Sequence, residues 1–161
     1  MSIQRDDLIE IVKEDLIRHE GYVSEIYLCS EGYPTFGIGH MVTEEDMEHT
    51  WPVGTPVTDE RILEVFKKDC EIAYTDACTL VLNFAGQAPD AQRVLVNMAF
   101  NLGRNRLSKF KNMLKYVNEG NYLMAANEMI NSKWYGQVGR RSAELVDMMK
   151  DAKRSFPEGE D

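Results

Sequence analysis

One stretch near the N-terminus constrains the fold more than any other part of the chain. Arg18-His19-Glu20-Gly21 is followed by Ile26-Tyr27-Leu28-Cys29-Ser30-Glu31-Gly32 and then by Thr35-Phe36-Gly37-Ile38-Gly39-His40. Upstream, Leu8, Ile11, Val12 and Leu16 recur at helical intervals over residues 5–19, with Ile9 and Ile17 at the margins of the stripe. Gly21 supplies the left-handed stop for that helix. Tyr27 and Leu28 then lead into a turn, Cys29 to Gly32, and Tyr33 to Ile38 return with Phe36 and Ile38 on one face. Pro34 has no N–H to give a ladder and predicts an edge position. A helix that stops at Gly21 and runs straight into a hairpin brings Glu20, Cys29 and Thr35 to one cleft. They are a carboxyl, a thiol and a hydroxyl, the groups for acid, base and water-positioning work. Each alone has an ordinary reading: a surface glutamate, a buried apolar thiol, a strand threonine.

The 161 residues are enough for one domain with a real core. The 18 basic and 27 acidic side chains leave a formal charge of −9. That argues against nucleic acid as the partner, because phosphate binding needs a basic face. Met1 to Glu14 is too charged for a secretory leader, and no run reaches the roughly 20 apolar residues of a membrane span. Cys29, Cys70 and Cys78 have no framework spacing, which suits a reducing compartment. Cys70 and Cys78 read as small buried apolar residues on one helix.

Further along, Thr43 caps a short acidic turn, Glu44 to Glu48, and Trp51 to Pro56 is a Pro/Gly connector. Thr58 caps a long helix from Asp59 to about Asn83, with Ile62, Val65, Phe66, Ile72 and Ala73 on its apolar face. Pro89-Asp90 opens the next helix, whose stripe is Val94, Leu95, Met98, Ala99 and Leu102, and Gly103 ends it. Helical stretches follow at 107–118, 121–131 and 140–154, punctuated by Gly120 and Gly139. The tail Phe156 to Asp161 is acidic and expected to fray. His40, after Gly37-Ile38-Gly39, has no ligand spacing to His19 or His49, so a metal reading is weak.

The N-terminal run resembles the catalytic signature of phage-type lysozymes: Glu, eight residues, Asp or Cys, five residues, Thr. Here the eight are Gly21 to Leu28 and the five are Ser30 to Pro34. The middle position holds Cys29 where most members carry Asp. Asn97-Met98-Ala99-Phe100-Asn101-Leu102-Gly103 and Ser132-Lys133-Trp134-Tyr135-Gly136-Gln137, followed by Gly139 to Glu144, extend the resemblance over about residues 5–155. It implies a mainly helical α+β lysozyme-like fold. A small β-hairpin lobe (21–58) and a larger helical lobe (84–155 with the N-terminal helix 5–19) would be joined by the long helix 59–83.

By the same resemblance, Glu20 is the general acid, Cys29 the base or nucleophile, and Thr35 positions water. Met41, Phe100, Asn101 and Arg141 would contact substrate, and Arg141 would also pair with Glu20 across the cleft. Arg140, Arg141 and Glu144 also read as a surface charge cluster. Met113 and Glu128 stand where other members have small or amide contacts. Trp134 reads as core rather than sugar platform. The resemblance pairs His40 with Asp69 in a structural role.

The implied activity is hydrolysis of the β-1,4 bond between N-acetylmuramic acid and N-acetylglucosamine in peptidoglycan, with no cofactor and no metal. The implied setting is a monomeric endolysin held in the host cytoplasm until a membrane pore releases it. Two alternatives stay open: a peptidoglycan-binding or scaffold module with little catalysis, and a lytic transglycosylase.

Overall fold

The computed structural model describes residues 3–153; the expected fraying of the tail and the last residue of the 140–154 helix lie outside them. The fold is α+β and mainly helical. Residues Lys13–Glu71 form one compact unit, and the described residues on either side form the other. The two boundaries fall inside helices α1 (Arg5–Glu20) and α2 (Asp59–Leu80).

In α1 the buried positions are Leu8, Ile9, Val12, Asp15 and Leu16. Ile11 is only half-buried and Ile17 is exposed, so the stripe is rotated by one position from the expected face. Asp15 tolerates burial because Arg18 donates to it at 3.3 Å. Gly21 (φ +79°) ends the helix, its N–H reaching the carbonyl of Ile17 at 2.9 Å.

The sheet of the first unit has three strands, β1 (Val23–Leu28), β2 (Pro34–Gly37) and β3 (His40–Met41), antiparallel and in that order. Tyr27 stands opposite Thr35, Thr35 opposite Met41, and Phe36 opposite His40. Pro34 therefore lies on the middle strand, not an edge. It is tolerated as the strand's first residue, where only its carbonyl is needed, and that carbonyl accepts from Val42 N–H at 2.9 Å. The connector is also more ordered than its composition suggests. Ile26 N–H donates to Thr55 O at 3.0 Å and Val57 N–H to Ser24 O at 2.9 Å, so it covers the open edge of β1. At the acidic turn the expected cap is reversed: the Asp46 carboxylate accepts from the Thr43 N–H at 2.8 Å, ahead of a 3-10 turn at Met47–Thr50. Phe36, Ile26, Ile38, Ile62 and Phe66 fill the core here.

Thr58 caps α2 through its hydroxyl, which accepts from Arg61 N–H at 3.2 Å. The 22 residues of α2 span about 33 Å. Its buried line runs Ile62, Val65, Phe66, Cys70, Ala73 and Ala77. Ile72, two residues past Cys70 and so about 200° round the helix, is exposed rather than part of that line. Cys78 is likewise exposed, one position beyond buried Ala77; only Cys70 is the buried thiol expected of both.

In the second unit α3 (Pro89–Leu102) is the most enclosed helix, opened by proline in its first turn and closed at Gly103. It packs on α8 (Arg140–Asp151), which packs on α6 (Tyr122–Ile130), which packs on α5 (Lys111–Asn118). The expected single helix over 107–118 is two, α4 (Arg104–Ser108) and α5. The break is at Phe110, whose backbone leaves the helical region and whose ring meets Trp134 edge-on at 6.2 Å. Helix α7 (Lys133–Gln137) is an addition, nucleated by Ser132, whose hydroxyl accepts from Tyr135 N–H at 3.3 Å.

Candidate active site

Glu20 is the last residue of α1, and its side chain lies over the glycine-rich turn between β2 and β3. The packing is close enough that a Cβ on Gly39 would sit 2.7 Å from Glu20 Oε1. Gly39 also has φ +66°, so both the backbone shape and the carboxylate above it require glycine. Tyr27, on β1, feels the same carboxylate. Its phenol is pushed up by burial and then by the negative charges of Glu20 and Cys29, so one hydroxyl lies within the fields of both groups.

Cys29 begins the hairpin turn, with its N–H on Tyr33 O at 2.9 Å and its carbonyl accepting from Gly32 N–H at 2.8 Å. Backbone hydrogen bonds from Tyr33 and Glu31 hold its thiol below the usual range, helped by the Thr35 side chain and opposed by slight burial and the Glu31 charge. Thr35 is buried on β2, its hydroxyl donates to Tyr33 O at 2.9 Å, and its side chain helps to hold the Cys29 thiol low. Met41 stands opposite Thr35 on β3 with half its surface exposed. Glu20, Cys29 and Thr35 therefore share one corner of the first unit. Nothing in the spacing alone marked Tyr27, though its place opposite Thr35 follows from the hairpin register.

His40 is held on both ring nitrogens. Asp69 Oδ2 lies 2.7 Å from Nδ1, the expected pair, and Asp46 Oδ2 lies 2.8 Å from Nε2, a partner the sequence did not point to. Burial alone would lower the His40 pKa, but the two carboxylates outweigh it and raise it. Asp46 is held low: burial opposes this, and the Thr43 N–H and His40 overcome it. Beside it, Arg61 clamps the fully buried Glu48 carboxylate with two bonds of 2.8 and 3.0 Å and also meets Glu64. Both histidine nitrogens face carboxylates, which makes this a structural cluster that anchors the β2–β3 turn beneath Glu20.

In the second unit Phe100 and Asn101 sit on α3, both half-buried. Asn101 Oδ1 accepts from the indole N–H of Trp134 at 2.8 Å, and Trp134 is buried, as its core reading expected. Arg141 is buried and not a surface charge; its Nε–H donates to Asn97 Oδ1 at 2.9 Å. Arg140 next to it is exposed. Met113 and Glu128 line one cavity of about 740 Å³, together with Phe110 and Trp134.

Among the described residues no helix is long and apolar enough to cross a membrane. The phage lysozyme family model matches residues 17–150. A probable T4-type lysozyme 1 of Dictyostelium discoideum is 28% identical over 89% of this chain and 95% of its own length. The pre-baseplate central spike protein Gp5 of Enterobacteria phage T4 is 27% identical over 83% of this chain but only 26% of its own. The peptidoglycan hydrolase gp36 of Pseudomonas phage phiKMV is 26% identical over 85% of this chain and 15% of its own. The match spans the Glu20–Thr35 corner, the α3 motif and the start of α8 together: the chain belongs to the phage lysozyme family.

Proposed function

We propose that this chain is a peptidoglycan hydrolase that cleaves the β-1,4 bond between N-acetylmuramic acid and N-acetylglucosamine. The observation that carries the reading is the corner where the Glu20 carboxylate, the lowered Cys29 thiol and the Thr35 hydroxyl converge. Glycoside cleavage needs a proton for the leaving oxygen and a base or nucleophile for the anomeric carbon. Glu20 gives its proton to the glycosidic oxygen as the C–O bond breaks. As base, Cys29 thiolate takes a proton from water while the water oxygen bonds to the anomeric carbon. As nucleophile it bonds to that carbon itself and water displaces it later. Thr35, beside Cys29, orients the water. Met41, Phe100, Asn101 and Arg141 contact the glycan. The enzyme works as a monomer, without metal or cofactor, released to the wall through a membrane pore.

Mass spectrometry of digested, purified peptidoglycan tests this. Wild type should yield reducing muramic ends, and Glu20→Gln should lose about 10²–10⁴-fold in rate. Anhydro ends would make the protein a lytic transglycosylase. Wall binding without cleaved ends would make it a scaffold module.

A further inference from the structure

The register of the small sheet puts one more polar side chain beside the candidate catalytic groups. Tyr27 stands opposite Thr35, and Thr35 stands opposite Met41. Residues directly opposite share a face, so a phenol, a hydroxyl and a thioether form one row across the three strands. Their chain neighbours Ile26 and Phe36 turn to the other face and are buried. Cys29 follows Tyr27 by two positions, and Glu20 lies over the turn at Gly39. The phenol therefore lies within the fields of both groups, one from α1 and one from the hairpin turn.

Tyr27 is half-buried, yet its hydroxyl makes no hydrogen bond among the described residues. Other tyrosines of the chain are tied: Tyr122 accepts from Ala88 N–H at 2.9 Å and donates to Gln87 at 2.8 Å, and Tyr22 donates to Asp59. A tyrosine that goes under cover normally finds a partner for its hydroxyl. Three uses are open to a phenol in this place. As a base or nucleophile it must ionise, and burial together with two acidic neighbours holds its proton on. As an apolar contact it needs no oxygen, and phenylalanine would serve. The remaining use is as a neutral donor that is free to turn.

Hydrolysis gives such a donor a task. Before the bond breaks, the negative charge is on the Cys29 sulfur and Glu20 carries the proton. Glu20 then gives that proton to the glycosidic oxygen, while the thiolate takes a proton from water or bonds to the anomeric carbon. The charge of the pair is the same before and after, but it has moved from sulfur to carboxylate. We infer that Tyr27 is a positioning residue that follows this charge: its O–H turns from Cys29 to Glu20 and stabilises the negative group at both ends of the step. The inference rests on the hydrolase reading above. A backbone N–H is fixed and favours one end alone, whereas an unbonded hydroxyl rotates to suit either. A dipole already in place where charge develops costs no solvent rearrangement during the reaction. The titratable groups that face Tyr27 are Glu20 and Cys29. Glu31, on the same turn as Cys29, opposes ionisation of the thiol.

The test is Tyr27→Phe in the intact chain, with kcat and KM measured on purified peptidoglycan across pH. The change removes only an oxygen that no described residue bonds, so the thermal melt should match wild type. The value of kcat should fall about ten- to hundredfold, the worth of one hydrogen bond to a charged group. KM should stay nearly unchanged, the signature of an interaction made in the transition state. Labelling of Cys29 by iodoacetamide reads the thiolate without any turnover, and its midpoint should move to higher pH because the thiolate has lost a donor. Tyr22→Phe, whose hydroxyl is spent on Asp59, should change neither kcat nor the labelling. The proposal is overturned if kcat is unchanged, if KM alone rises, or if the labelling profile of Cys29 does not move. A wild type that yields no cleaved ends sinks the hydrolase reading and this role with it. Cleavage by wild type and by Tyr27→Phe at equal rates sinks this role alone.

Discussion

Asp69 on α2 meets Nδ1 of His40 on β3 at 2.7 Å, across 29 residues of sequence, and so ties the long helix to the last strand of the sheet. The opposite nitrogen faces Asp46 at 2.8 Å, and Arg61 lies 3.7 Å from the other oxygen of Asp46. An imidazolium satisfies both carboxylates as a donor. A neutral ring donates to only one and turns a lone pair on the other.

That arrangement sets a pH window. The folded pKa of His40 lies above its ordinary 6.5, so its contribution is complete below 6.5 and is lost as pH rises through the raised value. The folded pKa of Asp46 lies below its ordinary 3.8, so its contribution is present above 3.8 and is lost as pH falls through the lowered value. Thermal melts of His40→Asn should show the largest penalty between those limits, about 2–4 kcal/mol for two charge-assisted hydrogen bonds. The penalty should shrink above the raised histidine pKa. A pH-independent difference would show that the pair contributes by shape alone.

Arg61 and Glu48 give a second, sharper expectation. Glu48 is fully buried and both its oxygens are held by Arg61. Arg61→Met leaves that carboxylate without its counter-charge and should cost about 3–5 kcal/mol in denaturant unfolding. Glu48→Leu in the Arg61→Met background should recover most of the loss, because two apolar side chains in place of a buried pair are often neutral. If the double variant is as unstable as the single one, packing and not the charge governs the site.

How much of this was legible in the sequence depends on whether the signal was local. The helix stop at Gly21, the hairpin at Cys29–Gly32 and the cap at Thr58 are set by residues within a turn of one another, and all three stand as expected. The corner of Glu20, Cys29 and Thr35 follows from those stops. What the sequence hid was non-local. Asp46 on His40 depends on a loop closing over β3, and the connector's pairing with β1 depends on backbone groups that composition does not display. The break at Phe110 arises because its ring packs on Trp134, far along the chain. The exposure of Ile72 and Cys78 was readable in principle, from their angle to Cys70, Ala73 and Ala77. The shared cavity of Lys109, Lys111 and Lys133 was not, because Lys133 stands far along the chain from the other two.

Gly39 separates backbone strain from a functional clash. Alanine there meets Glu20 Oε1 at 2.7 Å in a φ +66° conformation. Gly54 has φ +94° but meets nothing closer than 3.8 Å. Both Gly39→Ala and Gly54→Ala should lose about 1–2 kcal/mol of stability from the left-handed backbone. Only Gly39→Ala should displace the carboxylate, and its lysis rate should fall about 10²-fold, the cost of a misplacement near 1 Å. Equal rates for the two would mean that the placement of Glu20 over this turn does not matter to the reaction.

Cys29 is where the reaction chemistry is most exposed to test. Its thiol is pulled below the usual range by backbone hydrogen bonds from Tyr33 and Glu31 and by Thr35. Cys78, though exposed, is pushed up by the partial burial of its sulfur, and Cys70 is buried. Thiolate is the form that reacts with iodoacetamide, so near neutral pH the order of labelling should be Cys29, then Cys78, then Cys70. Peptide mapping by mass spectrometry reads that order directly. Lysis should decay with labelling of Cys29 and be indifferent to Cys78. Cys29→Asp should resist alkylation and stay active, with its pH optimum moved toward acid, because a carboxylate ionises well below a thiol. Thr35→Val removes one of the groups that stabilise the thiolate, so it should slow the labelling of Cys29 and shift the alkaline-ward rise of activity to higher pH. If Cys29→Ala lyses walls at the wild-type rate, the thiolate has no part in the reaction, and the Glu20 carboxyl acts without a partner in this position.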